Sequence, residues 1–267
     1  MRRGVAIGVV RIGVVALIAG LLAIPALPHP ADAAGRAWEV MPYAWFTGIK
    51  GTMTIEGQLQ GIDAGIADVW DNSNAGGNFR CETWKGGDGL YLDLFYVNLT
   101  DKYIIEEDTY VPASNIFFVD MAYNYELGST PVFFDQRTRD IKEIRYLSFG
   151  VLAGGRYFRL TNSLKQSGGE DLEQTAQFID PIIGGYIHYR MARAFTIAAA
   201  ADMGGFGIGS DFTWNAWVRF DFRLADWLWV NALGRAFDIK YEEGGGEDKI
   251  GLNARIAGPA VGVIFRF

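Results

Sequence analysis

The side chain best suited to acid–base chemistry in this sequence is the imidazole of His188. The other histidine, His29, lies in a segment that we expect to be cleaved off, so His188 stands alone in the mature chain. A Ser–His hydrolase needs a serine within hydrogen-bond reach of the histidine and a third group that orients it. The sequence around His188 is Ile-His-Tyr-Arg, without a serine. We therefore expect no enzymatic activity and assign no catalytic residue.

Three other features resemble ligand sites, and each has a simpler interpretation. The glycine-rich stretch Met203–Ser210 lies between two aspartates but lacks the strand-and-helix setting of a nucleotide site, which favours a flexible external turn. The acidic residues between positions 242 and 248 lack the spacing of a calcium loop. Cys81 is the single cysteine, so there is no intramolecular disulfide and no cysteine metal cluster. We expect no metal and no cofactor.

Alternating hydrophobicity is the strongest structural signal, and it is clearest from Phe212 to Arg223. Even-numbered positions in this segment are apolar, whereas the odd-numbered ones include Arg219 and Asp221. A period of two residues predicts a β-strand with one apolar and one charged face. The same pattern recurs in residues 89–99, 116–127, 147–157, 178–190 and 195–203.

The length of these segments bears on the fold class. About ten residues are enough for a tilted strand to cross a bilayer, and no apolar stretch after the first 33 residues reaches the roughly 20 that a spanning helix requires. A soluble β-sandwich shows the same alternation but exposes the charged face, whereas a transmembrane barrel encloses it. The sequence predicts an all-β, closed antiparallel transmembrane β-barrel, with a soluble sandwich as the rival.

Turn lengths predict the number of strands and their orientation. Links such as Lys85–Asp88 are tight, whereas segments such as Thr161–Thr175 are long and polar. Barrels place short turns at the periplasm and long loops outside. Alternating the two kinds places both chain ends in the periplasm and predicts ten strands, with eight or twelve as alternatives. These strands lie near residues 37–48, 75–84, 88–99, 114–126, 145–160, 176–190, 194–203, 212–223, 227–241 and 250–267.

Two segments fit this count poorly. Gly128–Glu143 must be a periplasmic turn, although it is long and contains several apolar residues. Ile49–Asn74 must be an external loop, although Ile62–Trp70 could pair as a strand. Either segment could contain additional strands or extend a hairpin beyond the membrane.

Residues 1–33 have the features of a cleaved secretory signal peptide. Arginines at positions 2, 3 and 11 precede an apolar run from Ile12 to Leu27, which prolines interrupt. Ala31-Asp32-Ala33 then forms an A-x-A cleavage site. We expect export through the Sec pathway, a mature barrel domain from 34 to 267, and integration into the cell outer membrane of a Gram-negative bacterium.

The strand that ends at Phe267 is typical of outer-membrane barrels, because residues 261–267 place a bulky apolar side chain at every odd position. We expect the barrel-assembly machinery to bind this strand during insertion. The finished barrel should contact membrane lipids and lipopolysaccharide, as a monomer. The mature chain has 21 basic and 30 acidic residues, a net charge of −9, which argues against nucleic acid as a partner.

The inward faces of the predicted strands carry charges of both signs. Isolated buried charges are very costly, so these side chains should pair, and side chains fill the interior of small barrels. This favours a closed, charge-paired lumen and a structural or surface-interaction role. The alternative is a narrow porin-like channel for small solutes, and a lipid-modifying enzyme is the weakest alternative. The predicted lumen residues are Arg80, Glu82, Asp93, Asp120, Glu126, Arg156, Asp180, His188, Arg190, Asp202, Arg219, Asp221, Arg223 and Arg235.

Aromatic residues make up 14% of the sequence, and the strand register places many of them near the two membrane surfaces. Amphipathic rings settle at the level of the lipid headgroups, so two girdles are expected. The periplasmic girdle would contain Trp84, Tyr189, Trp227 and Trp229, and the outer girdle Tyr157, Phe206, Trp214 and Tyr241.

Several short motifs resemble those of a known group of proteins. Trp38–Trp45, Gly154–Tyr157, Asp180–Gly184 and Gly204–Asp211, with Gly258-Pro259 before the last strand, are similar to segments of uncharacterised proteobacterial outer-membrane β-barrels. The resemblance spans nearly the whole mature chain. It implies an integral barrel in the broad group of small OmpA- or OmpW-like proteins, and it implies no catalytic residues.

Overall fold

Within the residues that it describes, the computed structural model consists almost entirely of β-strands, with one short helix. It describes residues 37–55, 57–100, 103–105, 108–132, 145–166, 172–246 and 249–267, so the predicted signal peptide lies outside the described residues. The elements are β1 (Ala37–Trp45), β2 (Gly48–Ile55), β3 (Gln58–Ala64), α1 (Ile66–Asp71), β4 (Ser73–Lys85), β5 (Asp88–Thr100), β6 (Tyr103–Ile105), β7 (Asp108–Val132), β8 (Arg145–Gln166), β9 (Leu172–Ala192), β10 (Phe195–Gly204), β11 (Phe212–Arg223), β12 (Leu228–Glu243) and β13 (Ile250–Arg266).

Ten of these strands close into an antiparallel barrel. In barrel order they are β1, β4, β5, β7, β8, β9, β10, β11, β12 and β13. Strand β13 closes the barrel by pairing with β1, with Val40 opposite Phe265 and Ala44 opposite Val261. The predicted all-β, closed, ten-stranded architecture is therefore confirmed. Strands β7, β8 and β9 are longer than predicted, at 25, 22 and 21 residues.

The two ends of the barrel differ in their connections. We call one of them the turn end: it holds both ends of the described chain and the tight links β4–β5, β9–β10 and β11–β12. Trp38 and Phe267 exchange backbone hydrogen bonds of 3.1 and 3.0 Å there. The opposite end, which we call the loop end, carries the β2–β3 hairpin and the links β10–β11 and β12–β13.

Across the middle of the barrel, the charged face of each strand points inward. Met121 and Ile179, on the outer faces of β7 and β9, are 62% and 67% exposed, whereas the neighbouring Asp120 and Asp180 are 1% and 0% exposed. A soluble sandwich would expose the charged face and bury the apolar one. This part of the molecule is therefore a barrel with an apolar outer wall and a polar interior.

Towards the loop end, the apolar and polar faces exchange sides along single strands. The outward residues of β12 are apolar as far as Ala236, and the next two outward residues are Asp238 and Lys240. The inward residues that alternate with these two, Phe237 and Ile239, are both apolar and fully buried. The loop-end part of the molecule thus has an apolar interior and a polar exterior, as in a water-soluble domain.

This loop-end part consists of two small sheets packed against each other. Strands β10 and β11 stop early, while β9 and β12 continue beyond them, so the wall is interrupted between β9 and β12. The sheet is continuous through the barrel, but beyond the ends of β10 and β11 it leaves two facing groups of strands, β3–β2–β13–β12 and β7–β8–β9. The rings of Phe178 and Tyr241 stack at 5.1 Å across the interruption, and Asn162 Nδ2 lies 3.1 Å from Met53 Sδ. The barrel continues as a two-sheet sandwich, which we call the loop-end sandwich.

The segment Ile49–Asn74 contains additional strands and an extended hairpin, which is the alternative to a simple external loop that the sequence left open. Strand β2 continues along β13 beyond the end of β1, with Ile49 opposite Ile256, and it forms a hairpin with β3. Only the first part of Ile62–Trp70 is strand, because β3 ends at Ala64 and α1 follows. In the described part of the chain, no helix has the length and apolar character needed to span a membrane.

The segment Gly128–Glu143 is only partly the predicted turn. Strand β7 continues through a bulge near Gly128 to Val132, which pairs with Arg145 at the start of β8. The β7–β8 hairpin therefore extends beyond its neighbours at the turn end, and residues 133–144 lie outside the described residues.

Candidate functional site in the barrel lumen

Charged side chains cross the middle of the lumen in a network centred on Arg156. Asp120, Arg156 and Asp180 are aligned in register on β7, β8 and β9, so all three point into the lumen at one level. Arg156 donates hydrogen bonds to both carboxylate oxygens of Asp120, at 2.7 and 2.9 Å, and to Asp202 at 2.8 Å. Paired hydrogen bonds of this kind fix the guanidinium in place and are among the strongest in proteins.

A second group of side chains meets at Asp93, which lies in register with Asp120. Asp93 accepts hydrogen bonds from the Tyr43 hydroxyl at 2.8 Å, from Arg235 at 3.0 Å and from Arg80 at 3.2 Å. Arg235 also lies 3.5 Å from Asp120, which joins the two groups into one network.

A third group lies nearer the turn end. Arg219 pairs with Asp221 at 2.9 Å and approaches Glu82 to 3.7 Å. Arg266 pairs with Glu39 at 2.7 Å. Arginines and carboxylates thus neutralise each other at successive levels, as a low-dielectric interior requires.

Carboxylates outnumber arginines among the buried lumen residues, and neutral donors satisfy the excess. Asp180 accepts hydrogen bonds from the backbone N–H and the hydroxyl of Ser210, both at 2.7 Å, and from the Thr213 hydroxyl at 3.1 Å. Asp202 accepts one from the Asn215 amide at 2.8 Å. Each hydrogen bond to a buried carboxylate offsets part of its cost of burial.

The stretch Met203–Ser210 forms an exposed turn at Phe206 and Ile208, as predicted, but the contact between Asp180 and Ser210 anchors its last residue. Ser210 is only 1% exposed, so the end of this stretch is anchored inside the barrel. Gly205 and Gly207 have φ of 89° and 74°, a backbone conformation that favours glycine and allows the chain to fold back on itself. The stretch therefore folds back onto β9, where the Gly205 N–H donates a backbone hydrogen bond of 3.3 Å to the Pro181 carbonyl.

A layer of aromatic rings covers the ion pairs on their loop-end side. Phe118 stacks on Phe95 and packs against Phe237, each with centroids 4.9 Å apart. The Arg156 guanidinium lies 4.7 Å from the centre of the Phe237 ring, so the two layers are in direct contact. We call this set the aromatic layer; it comprises Trp45, Phe95, Phe118, Phe158, Phe178, Phe237 and Tyr241.

The lumen widens towards the turn end. A cavity of about 370 Å³, which we call the vestibule, opens there and is lined by Glu126, His188 and Arg190 among others. Above it, beside Arg80, lie two voids of about 10 Å³ each, room for about one water molecule. The aromatic layer follows, where Phe158 and Phe237 are 1% and 0% exposed.

Most of the predicted lumen residues are confirmed. Glu126, His188 and Arg190 line the vestibule rather than the buried network. Arg223 lies on the inward register at the end of β11, opposite Trp229, but it pairs with Asp226 in the adjoining turn and not with the buried network. The buried lumen residues are Arg80, Glu82, Asp93, Asp120, Arg156, Asp180, Asp202, Arg219, Asp221 and Arg235.

His188 has a neighbour that sequence reasoning missed. Ser148 lies opposite it in register on β8, because antiparallel pairing brings together residues that are far apart in sequence. Among the described residues, no hydrogen bond joins the two side chains, and His188 packs against the rings of Trp84 and Tyr186 at 5.4 and 5.2 Å. In the same part of the chain, no group of three or more His, Cys, Asp or Glu is arranged to hold a metal ion.

The two predicted aromatic girdles are only partly correct. Trp229 and Tyr241 point inward and are 6% and 4% exposed, and Trp84 lines the vestibule. Closeness to a strand end does not show whether an aromatic residue points outward or into the lumen, because charged and aromatic residues alternate less strictly there. The members that lie outside the lumen are Tyr157, Tyr189, Phe206, Trp214 and Trp227.

Comparison with known proteins bears on the fold alone. Neither a protein-family model nor a curated protein matches the chain. The outer membrane protease OmpT from Escherichia coli superposes with a TM-score of 0.51 at 9% identity, over 88% of this chain and 97% of that chain. Ail of Yersinia pestis and the translocator domain of NalP from Neisseria meningitidis give TM-scores of 0.38 and 0.34, at 9% and 12% identity. These two matches cover 87% and 95% of this chain, and 98% and 96% of the other chain.

No family is assigned by these matches, so the resemblance to OmpA- or OmpW-like proteins stays a prediction. At this level of identity, the likeness to OmpT carries over the architecture and not the activity. The closed ten-stranded antiparallel barrel has the fold of the outer-membrane β-barrels.

Proposed function

We propose that this protein is an integral outer-membrane β-barrel that does not conduct solutes and has a structural or surface-interaction role. The filled lumen is the observation that carries the proposal. Ion pairs around Arg156 and the aromatic layer occupy two successive levels, and Arg156, Phe158 and Phe237 are at most 1% exposed. A solute channel would need continuous free space along the lumen.

On this proposal, the loop end faces the outside of the cell and the turn end faces the periplasm. The apolar outer wall lies in the bilayer, and its upper boundary falls between Ala236 and Asp238 on β12, where the outward residues become polar. The loop-end sandwich then stands in water and offers a rigid, polar surface to partners at the cell surface.

Planar-bilayer recordings test the closed lumen. The purified barrel should produce no discrete conductance steps, while a general porin added to the same bilayers shows that steps are detectable. Reproducible steps from the pure protein would support the narrow channel instead and overturn the proposal.

Epitope insertion tests the orientation. A tag inserted after Gly245, in the β12–β13 loop, should bind antibody on intact cells, whereas the same tag after Gly86, in the β4–β5 turn, should bind only after permeabilisation. Both glycines have open space around them, so the two insertions are matched. Binding in the opposite order would contradict the orientation.

We also propose that the protein is not an enzyme. The only imidazole of the mature chain packs among aromatic rings and has no hydrogen bond to Ser148 among the described residues. Cells carrying His188→Ala or Ser148→Ala should have the same lipid A and phospholipid profiles as cells with the unaltered protein. A profile that changes with both variants alike would identify a hydrolase.

A further inference from the structure

The polar side chains that line the vestibule are satisfied on one side and unsatisfied on the other. Where β1, β11 and β13 form the wall, Arg266 pairs with Glu39 and Arg219 pairs with Asp221, at 2.7 and 2.9 Å. Where β7, β8 and β9 form the wall, several polar side chains have no hydrogen-bond or ion-pair partner among the described residues. These side chains are Glu126, Ser148, His188 and Arg190.

The narrow upper end of the vestibule holds two further polar atoms without a partner. They are the side-chain carbonyl of Asn124 and the hydroxyl of Tyr186, and neither has a hydrogen-bond partner in the described part of the chain. The two residues are only 4% and 5% exposed. Both line one of the small voids beside Arg80, and this void shares Trp84 and His188 with the vestibule, so the two spaces adjoin. Buried polar atoms without a partner are costly, so this end of the vestibule is suited to a polar group of a ligand.

The strand register places the unpaired carboxylate deep in the vestibule and the unpaired guanidinium at its mouth. Glu126 and Tyr186 both lie opposite Gly150, one on each side of β8. Gly150 leaves room between them, since a Cβ at this position would lie 2.6 Å from the Tyr186 ring. Arg190 lies opposite Tyr146, four residues further along β8 towards the turn end. Four residues of strand separate the two levels by roughly 13 Å.

We propose that the vestibule binds a short zwitterionic peptide, with its amino terminus at Glu126 and its carboxylate at Arg190. An ammonium group has three donors, which match the acceptors of Glu126, Asn124 and Tyr186. A guanidinium is the side chain best suited to hold a carboxylate. An extended peptide spans about 3.5 Å per residue, so two or three residues cover most of the distance and the Glu126 and Arg190 side chains reach the rest.

The unpaired charges distinguish this ligand from simpler ones. A lone anion such as phosphate would leave Glu126 without a cation, a lone amine would leave Arg190 without an anion, and a single amino acid is too short to reach both. The volume of about 370 Å³ lies in the range of pockets that hold small molecules. The placement of this site in the periplasm rests on the orientation proposed above, whereas the site itself does not.

An aromatic surface beside the unpaired charges offers a place for a side chain of the peptide. The rings of Trp84, Tyr186 and His188 contact one another, with centroids 5.2 to 5.6 Å apart. Such rings bind apolar and aromatic side chains by stacking and edge contacts. The peptide should therefore have a bulky apolar residue between its two charged ends.

Calorimetric titration of the detergent-solubilised barrel with the tripeptide Ala-Phe-Ala tests the site. Acetylation of the peptide's amino terminus, or amidation of its carboxyl terminus, should each weaken binding to the unaltered protein about tenfold, because each removes one charged hydrogen-bonding group. Glu126→Gln should abolish the effect of acetylation, and Arg190→Gln should abolish the effect of amidation. The matched control is Glu173→Gln, an exposed carboxylate at the loop end of β9, which should keep both effects.

The remaining results each decide the proposal. An unaltered protein that does not bind Ala-Phe-Ala overturns it, and so do effects of acetylation and amidation that are equal in all the proteins. If Glu126→Gln does not fold, Tyr186→Phe removes a single hydroxyl instead and should weaken binding of the free peptide more than that of the acetylated one. Heat-modifiable migration in gels reports folding separately, so a folded barrel that binds no peptide refutes the site and leaves the closed lumen and the orientation unaffected.

Discussion

The middle of the lumen and the interior of the loop-end sandwich are two stretches of the same inward face, and their chemistry is opposite. Around Arg156 the interior is ionic and the outer wall is apolar, whereas around Ile239 the interior is apolar and the outer wall is polar. Strands β7, β8, β9, β12 and β13 run through both parts, whereas β10 and β11 stop before the second. On β12, the change occurs between Arg235 and Phe237.

This difference indicates which solvent surrounds each part. Where lipid surrounds a barrel, the apolar residues belong outside and the polar ones must satisfy each other within. Where water surrounds a sheet, the apolar residues form the core. The exchange of faces is thus a sequence-encoded boundary between bilayer and water, and each part should respond differently to substitution.

The largest effect should come from breaking the ionic part. Arg156→Met leaves the carboxylates of Asp120 and Asp202 buried without their arginine, so we expect a loss of about 3–5 kcal/mol in the free energy of unfolding. Denaturant titration in vesicles or detergent measures it. The control is Arg159→Met, three positions along the same strand and exposed, which should change stability by no more than about 0.5 kcal/mol. Equal losses of unfolding free energy in Arg156→Met and Arg159→Met would show that water solvates the lumen network.

A somewhat smaller effect should come from the apolar part. Ile239→Ala removes buried methyl groups from the loop-end sandwich and should cost about 2–5 kcal/mol in the same titration. Its neighbour Lys240 points outward and is exposed, so Lys240→Ala should be nearly neutral. If Lys240→Ala lowered the free energy of unfolding more than Ile239→Ala, the inward face of this part would not be its apolar core.

The smallest effect should come from the junction between the two parts. Ser210→Ala removes one hydroxyl donor from the buried Asp180 carboxylate while the backbone N–H remains, so we expect a loss of about 1–3 kcal/mol. The β10–β11 loop should also become more sensitive to protease. Asp211→Ala, at the next, exposed position, serves as the control. If the β10–β11 loop resists protease equally well in Ser210→Ala and in Asp211→Ala, then the contact with Asp180 does not anchor the loop.

The sequence predicted the barrel because the signal is local. Alternation along β11 and tight links such as Lys85–Asp88 depend on neighbouring residues, and both survive in the structure. The inward charges followed from the same period, so Arg156 and Asp120 were placed correctly before their partners were known. Which arginine pairs with which carboxylate could not be predicted, because it depends on the register between strands that are far apart in the sequence.

The errors occurred where the surrounding solvent changes. In Ile49–Asn74, the strands β2 and β3 continue above the proposed bilayer, where loop length no longer indicates a loop. Tyr241 was assigned to an outer girdle because its position near a strand end was taken to be lipid-facing, yet it lies in the core of the loop-end sandwich. Examining each strand of the sequence for a point where the apolar residues change from one face to the other would have corrected both predictions.

Nitroxide scanning along the outer face of β12 tests the central claim most directly. In a Cys81→Ser background, single cysteines at Ala232, Ala236 and Lys240 would carry the label in reconstituted vesicles. Apolar oxygen should be the more effective relaxant at Ala232 and Ala236, and a water-soluble nickel chelate at Lys240. Nickel relaxation that is equally strong at all three positions would contradict a barrel that spans the membrane and reverses its faces above it.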